Sequence, residues 1–473
     1  MQLANHYAAL PQHFSAPAVL QPVKAPRLVK LNTALARSLG LDPIWLSGPE
    51  GVAFLAGNRF PDGINPVATA YAGHQFGHLV PQLGDGRALL LGDGVDERGK
   101  PFEIQMKGAG RTPFSRRGDG RAALGPVLRE YLVSEAMAAF GVPTTRALAA
   151  VSTGETVVRA TLQPGAILTR VASSHIRVGT FQFFALRGDD DAIRQLADFA
   201  LERHYPELIG RPDRYLAFFD AVVSAQAELI AHWMSLGFIH GVMNTDNMTV
   251  SGETIDYGPC AFLDEYDPRK VFSSIDQGGR YAYDNQPRIA QWNLARLAET
   301  LLPLMDGDAD VAVGKAQEIL MAFPTRYGHA YDRHFRAKLG LRAEREEDHA
   351  LIVDWLTLLA AEKADFTLSF RQLSEGALAH DAMPGFGSWH ARWRDRVARE
   401  DSMDAAQAAM RFVNPVVIPR NHRIEAVISA AETGDFGPFE AMLAAVTHPF
   451  DDDAAHASPP RPEERVWETF CGT

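Results

Sequence analysis

The sequence predicts an α+β architecture of two lobes with a cleft between them. From about residue 83 to residue 171, short apolar runs alternate with glycine-rich turns, which is typical of strands and hairpins. Beyond about residue 190, apolar residues recur at helical spacing instead. Because strands and helices occupy different parts of the chain, we expect a β-rich lobe and a helical lobe to pack against each other.

The β-rich part follows an extension that is rich in proline and alanine. Residues 1–65 are interpreted as a wrap around the core rather than as an independent domain, with a helix predicted around residues 28–39. Residues 87–91 and 101–107 are apolar runs, and the connection between them is rich in glycine. This pattern predicts a β-hairpin.

One helix and further strands complete the β-rich part. In residues 124–140, apolar residues including Leu128 fall on one helical face, and Gly141 is a stop signal for that helix. Strand-like runs return around Val157 and in residues 167–171. We therefore expect this helix to pack against a sheet.

The second half is expected to be mainly helical. Residues 221–237 are apolar at helical spacing and end at a glycine, and residues 294–302 and 351–359 carry two further apolar stripes. Residues 451–462 are acidic and proline-rich, which predicts a mobile tail.

Composition excludes several classes of protein. The 473 residues are 46% hydrophobic and 22% charged, enough for a large core and two or three globular units. The net charge of -12 offers no overall attraction to nucleic acid or to anionic membranes. Two cysteines exclude a disulfide-stapled scaffold and a cysteine-rich metal module. No signal peptide or long apolar segment is recognised, so a cytoplasmic location is expected.

A chemical motif begins at His240. Asn247 follows seven residues later, and residues 256–258, Asp-Tyr-Gly, come nine residues after Asn247. This spacing resembles the catalytic loop and metal motif of protein kinases, with residues 248–255 expected to form a short hairpin. An amide oxygen and a carboxylate are hard ligands that suit Mg²⁺. Asn247 and Asp256 are therefore predicted metal ligands.

The match fails where a kinase carries its catalytic base. Two residues after His240 the chain has Val242, which can neither accept a proton nor orient a hydroxyl. A carboxylate lies nearby at Asp246, beside the predicted metal ligand. The site is therefore expected either to be inactive as a phosphotransferase or to use a displaced base on a differently placed substrate.

Lys107 and Glu130 are candidate partners of this motif. Lys107 ends a predicted strand and Glu130 lies on the next predicted helix, the order in which kinases carry the phosphate-binding lysine and its glutamate. Taken alone, each residue type in such a place is usually solvated. Their position ahead of Asn247 and Asp256 favours an ion pair at a nucleotide site.

Two glycine-containing stretches are candidate phosphate sites. Residues 107–121 combine glycines, which let the backbone approach phosphate, with arginines, which bind its oxygens. A solvated loop with incidental arginines is the alternative. Residues 84–87, Gly-Asp-Gly-Arg, are a second candidate, although Asp-Gly is also common in hairpins. Neither stretch matches the glycine-rich loop of kinases.

Longer strings make the chain similar to a known family. They are residues 71–77, 82–87, 105–110, 244–247, 256–260 and 291–295. Over nearly its whole length the chain resembles the selenoprotein O family of pseudokinases. The resemblance implies a protein-kinase-like fold with terminal extensions. Its expected domains are an N-terminal extension (1–65), a β-rich N-lobe (66–185), a helical C-lobe (186–345), and a helical C-terminal region with a mobile tail (346–473).

The resemblance also implies an activity. The family transfers AMP from ATP to Ser, Thr and Tyr hydroxyls of proteins, with the nucleotide flipped relative to kinases and pyrophosphate as the leaving group. The implied nucleotide-binding residues are Gly84, Gly86, Arg87, Lys107, Asp119, Gly120, Arg170, Arg177 and Asp256. The implied catalytic residues are Asp246 as proton acceptor, with Lys107 paired to Glu130, while Asn247 and Asp256 hold Mg²⁺ or Mn²⁺. From pattern alone, Arg170 and Arg177 are expected at the surface.

A redox switch is a further hypothesis from the resemblance. Many members of the family carry a reactive cysteine or selenocysteine close to the C-terminus, and Cys471 matches that place. A disulfide from Cys471 to Cys260 would close a long loop, worth on the order of 5 kcal/mol in the chain-entropy model. In a reducing compartment it would act as a switch.

Three functions compete at this stage. AMP transfer to proteins is favoured by Val242, the basic loop and the family strings. An ATP-dependent small-molecule phosphotransferase is suggested by the His-Gly at residues 240–241, but that class also needs an aspartate at position 242. A non-catalytic nucleotide-binding scaffold would not need metal ligands. The expected partners are ATP and hydroxyl-bearing proteins, with no nucleic acid or membrane, and the protein is expected to be a monomer.

Overall fold

An antiparallel sheet of eight strands organises the first part of the chain in the computed structural model, which describes residues 3–379, 381 and 383–470. The strands of this sheet and of two small two-stranded sheets, β4 with β5 and β11 with β12, are numbered together in chain order. They are β1 (Ser15–Pro17), β2 (Arg27–Leu31), β3 (Val67–Thr69), β4 (Gly73–Gln75), β5 (His78–Val80), β6 (Ala88–Val95), β7 (Pro101–Lys107), β8 (Ala122–Ala123), β9 (Arg146–Val158), β10 (Leu162–Ala172), β11 (Phe238–Ile239) and β12 (Ala261–Phe262). The helices are α1 (Thr33–Ser38), α2 (Pro43–Ser47), α3 (Pro49–Leu55), α4 (Leu124–Ala139), α5 (Val178–Ala185), α6 (Asp190–His204), α7 (Arg214–Leu236), α8 (Gln286–Met305), α9 (Ala309–Lys338), α10 (Asp348–Glu362), α11 (Phe366–Glu375), α12 (Phe386–Val397), α13 (Met403–Arg411), α14 (Asn421–Glu432), α15 (Gly437–Thr447) and α16 (Ala454–Ala457). The chain thus combines helices with an antiparallel sheet, as the sequence predicts.

The two outermost strands of the sheet come from the N-terminal extension. The order is β1-β3-β6-β7-β10-β9-β2, with the short β8 also paired to β10. The helix predicted around residues 28–39 is only partly right. Leu28 lies in β2, paired with β9, and α1 begins after Asn32, whose side chain accepts a hydrogen bond from Leu35 N at 3.0 Å. Pairing with a strand distant in sequence overrides the helical pattern of the first residues.

The predicted hairpin of residues 87–91 and 101–107 is confirmed as β6 and β7. Its turn is stabilised by Asp96, whose Oδ1 accepts hydrogen bonds from Arg98 N at 2.9 Å and Lys100 N at 2.7 Å. Gly99 adopts a φ of +78°, which favours glycine. The hairpin places Lys107 at the end of a strand, as expected.

Strand alternation sends the side chains of β7 to two different environments. Ile104 and Met106 belong to a core that packs under α1–α3. Gln105 and Lys107 point to the opposite face, where Leu128 of α4 lies in the main core. The polar residues of β7 therefore share one side of the sheet with α4.

The helix predicted over residues 124–140 is confirmed as α4, which packs against α14, α15 and β9. The helix at residues 221–237 is confirmed within the longer α7, which ends at Gly237 in the left-handed conformation. The stripes in residues 294–302 and 351–359 lie in α8 and α10. Among the described helices, none is long and apolar enough to cross a membrane.

The stretch 451–462 contacts the helical region. It contains α16, and Arg420 Nε donates to Ala457 O at 3.2 Å. Arg371 Nη2 lies 3.1 Å from Asp452 Oδ1. Buried arginines of the helical region thus provide partners for this stretch that its local composition does not reveal, and its mobility stays a prediction.

Leu128→Ala should lower the free energy of unfolding by about 2–5 kcal/mol, since it leaves a cavity in the core around α4. Leu128 is 0% exposed, whereas the control residue Ile44 on α2 is 84% exposed. Ile44→Ala should change that free energy by no more than about 0.5 kcal/mol. Denaturant unfolding followed by circular dichroism measures both, and equal stability of the two variants would contradict the central position of α4.

Candidate active site

A cavity of ≈ 380 Å³ lies between the sheet and the segment that follows α7. Strands β7 and β10, helix α4, and residues 242–259 all contribute to its walls. The predicted site residues that line it are Gly86, Arg87, Lys107, Glu130, Arg170, Arg177, Asp246, Asn247 and Asp256. The fold therefore brings together most of the predicted site from five separate parts of the sequence.

The loop after α7 is held in place by buried hydrogen bonds. Strands β11 and β12 pair with each other, so the chain leaves and returns at neighbouring points. His240 stacks on Trp233, and its Nε2 lies 2.9 Å from Ile255 O. Asn247 Nδ2 donates to Val242 O at 3.0 Å. These contacts fix the loop relative to the segment that carries Asp256.

The hairpin expected in residues 248–255 is wrong. Thr249 forms a bridge to Arg177, and Thr254 forms one to Thr144. The backbones of the two arms therefore pair with other parts of the chain, and the contact between the arms is made by the Thr249 side chain, whose Oγ1 donates to Glu253 O at 2.7 Å. A turn-like local sequence did not reveal these partners, which are distant in sequence.

Asp256 lies at the centre of the site's charges. Its φ of +62° is rare for a residue other than glycine and is typical of functional sites. Its Oδ1 is 2.6 Å from both Lys107 Nζ and Arg170 Nη1. Burial acts to raise the pKa of Asp256, but the charges of Arg170, Lys107 and Arg177 outweigh it and hold that pKa well below its ordinary value. The carboxylate is therefore ionised.

Glu130 binds the same two cations from the other side. Its Oε2 is 2.6 Å from Lys107 Nζ, and its Oε1 is 2.9 Å from Arg170 Nη1. The predicted ion pair of Lys107 and Glu130 is therefore present. Arg170 is 2% exposed, so its expected surface position is wrong. The pattern of β10 could not show that Arg170 has buried acidic partners on α4 and after residue 255.

Arg177 is also buried, contrary to the surface position expected from its pattern. Its guanidinium packs over the Tyr71 ring, 4.5 Å from the centroid. Its nitrogens lie 3.8 Å from Asp85 Oδ1 and 3.5 Å from Asp256 Oδ2. A buried arginine is stable only beside acidic groups, and here those groups come from two other segments.

Two residues of this network lie outside the sequence prediction. Asp85 is buried, and its Oδ2 accepts hydrogen bonds from Thr69 N at 3.0 Å and Gln105 Nε2 at 3.2 Å. Gln105 Oε1 in turn accepts from Arg170 Nη2 at 2.6 Å. Gln105 could have been found, because it is two residues before Lys107 on the same strand face. The sequence around Asp85 indicates only a turn, so its buried partners could not be predicted.

Asp246 is a buried carboxylate in which one oxygen has no hydrogen-bond partner among the described residues. The residue is 8% exposed, and burial raises the pKa of its carboxyl to about 6. The oxygen without a partner is Oδ1. Oδ1 is itself buried, and a Cβ at Gly73 would lie 2.3 Å from it, so this oxygen packs against the strand β4 while the residue Asp246 lines the cavity.

Three predicted nucleotide-binding residues lie outside the cavity lining. Gly84 N donates to Tyr71 O at 3.1 Å, and a Cβ at Gly84 would overlap Phe114 at 2.3 Å. Gly120 O accepts from Gly110 N at 3.0 Å. Asp119 forms a surface ion pair with Arg159 at 2.8 Å, which lowers its pKa through that hydrogen bond. In this structure these residues shape the loops around the cavity.

Asn247 and Asp256 fit a divalent cation through the chemistry of their donors. Because Asn247 Nδ2 is engaged by Val242 O, the amide oxygen is the atom left for a ligand. Asp256 adds a carboxylate in the same cavity. Within the described part of the chain, no cluster of three or more His, Cys, Asp or Glu could hold a metal. Two protein oxygens suffice for Mg²⁺ when water and substrate phosphates supply the rest.

Cys260 is a free, buried thiol, and burial raises its pKa to about 12. Cys471 lies outside the described residues. The chain nevertheless returns to this region, since Thr469 Oγ1 donates to Pro259 O at 2.5 Å and Thr469 N donates to Phe272 O at 2.7 Å. The C-terminal segment is therefore bound to the residues that follow Asp256.

Comparison with known proteins gives the family. The site brings buried cations and carboxylates together in one cavity, with Asn247 and Asp256 as candidate metal ligands. The family described as protein adenylyltransferase SelO matches residues 1–447. The chain belongs to this family, which confirms the resemblance stated from the sequence.

Similar proteins cover almost the whole chain. A protein nucleotidyltransferase YdiU of Rhodopseudomonas palustris (strain BisB5) is 58% identical over 484 residues, covering 99% of this chain and 98% of the relative. The protein of that name from Bradyrhizobium diazoefficiens is 59% identical over 483 residues, with coverage of 99% and 98%. The one from Rhizobium etli is 57% identical over 484 residues, with coverage of 99% and 97%.

Glu130→Gln should lower the free energy of unfolding of the ligand-free protein by about 3 kcal/mol, because it leaves two buried cations with one fewer carboxylate. The exposed Glu202 on α6 offers a matched control in Glu202→Gln, which should be neutral. Thermal and denaturant unfolding measure both variants. A Glu130→Gln protein as stable as the control would contradict the role of Glu130 in the charge network.

Proposed function

We propose that this enzyme transfers AMP from ATP to Ser, Thr or Tyr hydroxyls of proteins and releases pyrophosphate. One observation carries the proposal: Val242 occupies the place of the kinase base, while Asp246 brings a buried carboxylate into the same cavity as Lys107, Arg170 and Arg177. A phosphotransferase of the kinase type needs an acidic group at position 242. An enzyme that presents a different phosphate to its acceptor can use a carboxylate placed elsewhere.

The reaction can be written so that all atoms balance. The acceptor hydroxyl oxygen forms a bond to the α-phosphorus, and the bond from that phosphorus to the bridging oxygen of pyrophosphate breaks. Asp246 accepts the proton of the hydroxyl, in the role of general base. Burial favours this role, because a pKa of about 6 makes the carboxylate a better base than an ordinary aspartate while leaving it ionised at neutral pH.

The buried cations provide the binding site for the triphosphate. Lys107, Arg170 and Arg177 would bind its oxygens, with Glu130 orienting Lys107 and Arg170 through the ion pairs described above. In the flipped orientation these groups hold the β- and γ-phosphates, which become the leaving group. Mg²⁺ or Mn²⁺ bound by Asn247 and Asp256 would neutralise charge on the phosphates. Gly84, Gly86, Arg87, Asp119 and Gly120 complete the proposed nucleotide site.

The same proposal assigns a kinase-like layout to the chain. The sheet and α4 would form the N-lobe in residues 66–185, and the helices that follow would form the C-lobe in residues 186–345, with the cavity between them. Residues 1–65 and 346–473 would be the extensions. The enzyme would act as a monomer in the cytoplasm.

Labelled ATP distinguishes the candidate activities. With Mg²⁺ and a mixture of candidate acceptor proteins, label from the α-phosphate should be incorporated into protein, whereas label from the γ-phosphate should not. Asp256→Ala should abolish incorporation, because it removes a metal ligand and the partner of two cations. Asp310→Ala, on an exposed turn of α9, is the control and should retain full activity. Label from the γ-phosphate on protein, or on a small molecule other than pyrophosphate or inorganic phosphate, would instead indicate a kinase.

We further propose that Cys260 and Cys471 form a regulatory disulfide. The contact of Thr469 with Pro259 supports this, because it brings the end of the described chain next to the residue before Cys260. Burial and a pKa of about 12 keep the Cys260 thiol protonated. Formation of the bond would require an oxidant such as hydrogen peroxide, which converts the Cys471 thiol to a sulfenic acid. Local opening would then let Cys260 ionise and attack that sulfur, with loss of water.

Oxidation of the purified protein should produce a faster-migrating species on a non-reducing gel, because a cross-link over this distance compacts the denatured chain. Reduction should reverse the shift and change the rate of α-label transfer. Cys471→Ser is the control and should show neither effect. Identical migration of wild type and Cys471→Ser after oxidation would contradict the disulfide.

A further inference from the structure

The hairpin of β4 and β5 has a strained tip that faces residues 240–247, called the catalytic loop below. Gln75 pairs with His78, so Phe76 and Gly77 form a two-residue turn with φ values of +51° and +83°. Two positive φ values are the signature of a type I′ turn, but a bulky aromatic residue rarely adopts this conformation. The Phe76 ring packs edge-on against Tyr281, with 5.1 Å between the centroids. Contacts outside the hairpin therefore stabilise an unfavourable backbone.

Three consecutive hairpin residues bind three consecutive residues of the catalytic loop. The hydrogen bonds are His74 N to Thr245 Oγ1 (2.7 Å), Gln75 Nε2 to Asp246 Oδ2 (3.4 Å), and Phe76 N to Asn244 Oδ1 (3.0 Å). The two outer contacts are short and use backbone donors, which do not depend on side-chain rotamers. They fix the position from which Gln75 reaches Asp246.

Gln75 makes the one side-chain hydrogen bond that Asp246 has among the described residues. It binds Oδ2, while Oδ1 is buried and has no partner. The 3.4 Å separation is longer than an ordinary N–H···O hydrogen bond, and catalytic hydrogen bonds are commonly long before the substrate binds. The two oxygens of the carboxylate are thus distinguished by their surroundings.

Glycine residues allow this close approach. A Cβ at Gly73 would lie 2.3 Å from Asp246 Oδ1, and a Cβ at Gly179 would lie 2.1 Å from Ala72 O. Ala72 N also donates to Gly179 O at 2.9 Å, so the chain entering the hairpin is bound to the start of α5. The hairpin and the carboxylate are therefore packed at a distance that any larger residue would increase.

We propose that Gln75 is a positioning residue for the group transfer, holding the Asp246 carboxylate in the orientation in which it accepts the proton of the acceptor hydroxyl. The inference rests on the proposed function. In the step itself, the acceptor O–H bond breaks and its proton passes to the Asp246 carboxylate, as the oxygen bonds to the α-phosphorus and pyrophosphate leaves. Gln75 exchanges no proton, and it restricts the carboxylate to the rotamer that the reaction uses.

Gln75→Leu tests this role, because it keeps most of the side-chain volume and removes the amide. At saturating ATP, kcat for transfer of α-labelled AMP should fall about 10- to 100-fold, less than loss of the base itself would cost. KM for ATP should stay within about twofold, because no nucleotide contact is removed. The thermal midpoint should be that of wild type. Gln195→Leu, at an exposed position of α6, is the matched control.

A double-mutant cycle separates positioning from other roles. In an Asp246→Asn background, Gln75→Leu should cause no further loss of kcat, because the group that it orients is already disabled. An equal loss in both backgrounds, a wild-type kcat for Gln75→Leu, or a lower thermal midpoint with raised KM would each overturn the inference.

The result for the wild-type protein distinguishes failure of the proposed function from failure of the role proposed for Gln75. No incorporation of α-label by wild type would reject AMP transfer, and the inference that depends on it would then fall as well. Active wild type, reduced Asp246→Asn and unaffected Gln75→Leu would leave AMP transfer standing and reject only the role of Gln75.

Discussion

The shared carboxylate of Asp256 is the interaction on which the site depends. Lys107 of β7 and Arg170 of β10 both bind the same oxygen at 2.6 Å, so the sheet and the segment that carries Asp256 meet at one atom. Glu130 binds the same cations from α4. Buried charges are tolerated only when they are paired, and each group here has its partner on a different element. The cavity therefore keeps its shape only while these elements stay together.

The network also sets a condition for ligand binding. Lys107, Arg170 and Arg177 face Asp85, Glu130 and Asp256, so positive and negative charges are balanced without a ligand. A triphosphate with its metal ion introduces charges of both signs into this arrangement. Under the proposed function, binding would be an exchange of partners, in which phosphate oxygens would pair with the cations and a metal ion would pair with the carboxylate of Asp256. Such an exchange keeps every buried charge compensated.

Local chemistry made part of this site predictable. The spacing of Asn247 and Asp256 and the order of Lys107 and Glu130 identified residues that the structure brings into one cavity. Arg170 and Arg177 could not be recognised as buried from their own neighbourhoods, because their partners lie on other segments. The same reason explains the errors at residues 28–39 and 248–255, where long-range pairing replaced the local preference. Gln75 could not be predicted as a site residue, because its contact with Asp246 depends on the fold of the hairpin.

The position of β2 in the sheet has a consequence for synthesis. This strand is made early, but its partner β9 is made only after β3 to β7 and α4 have been synthesised. Until then β2 has unpaired backbone donors and acceptors, and so does the central part of the sheet that awaits β10. Long-range pairing of this kind folds slowly compared with helices. The growing chain therefore carries open strand edges for most of the first third of its translation, a period in which chaperones and neighbouring chains can bind them.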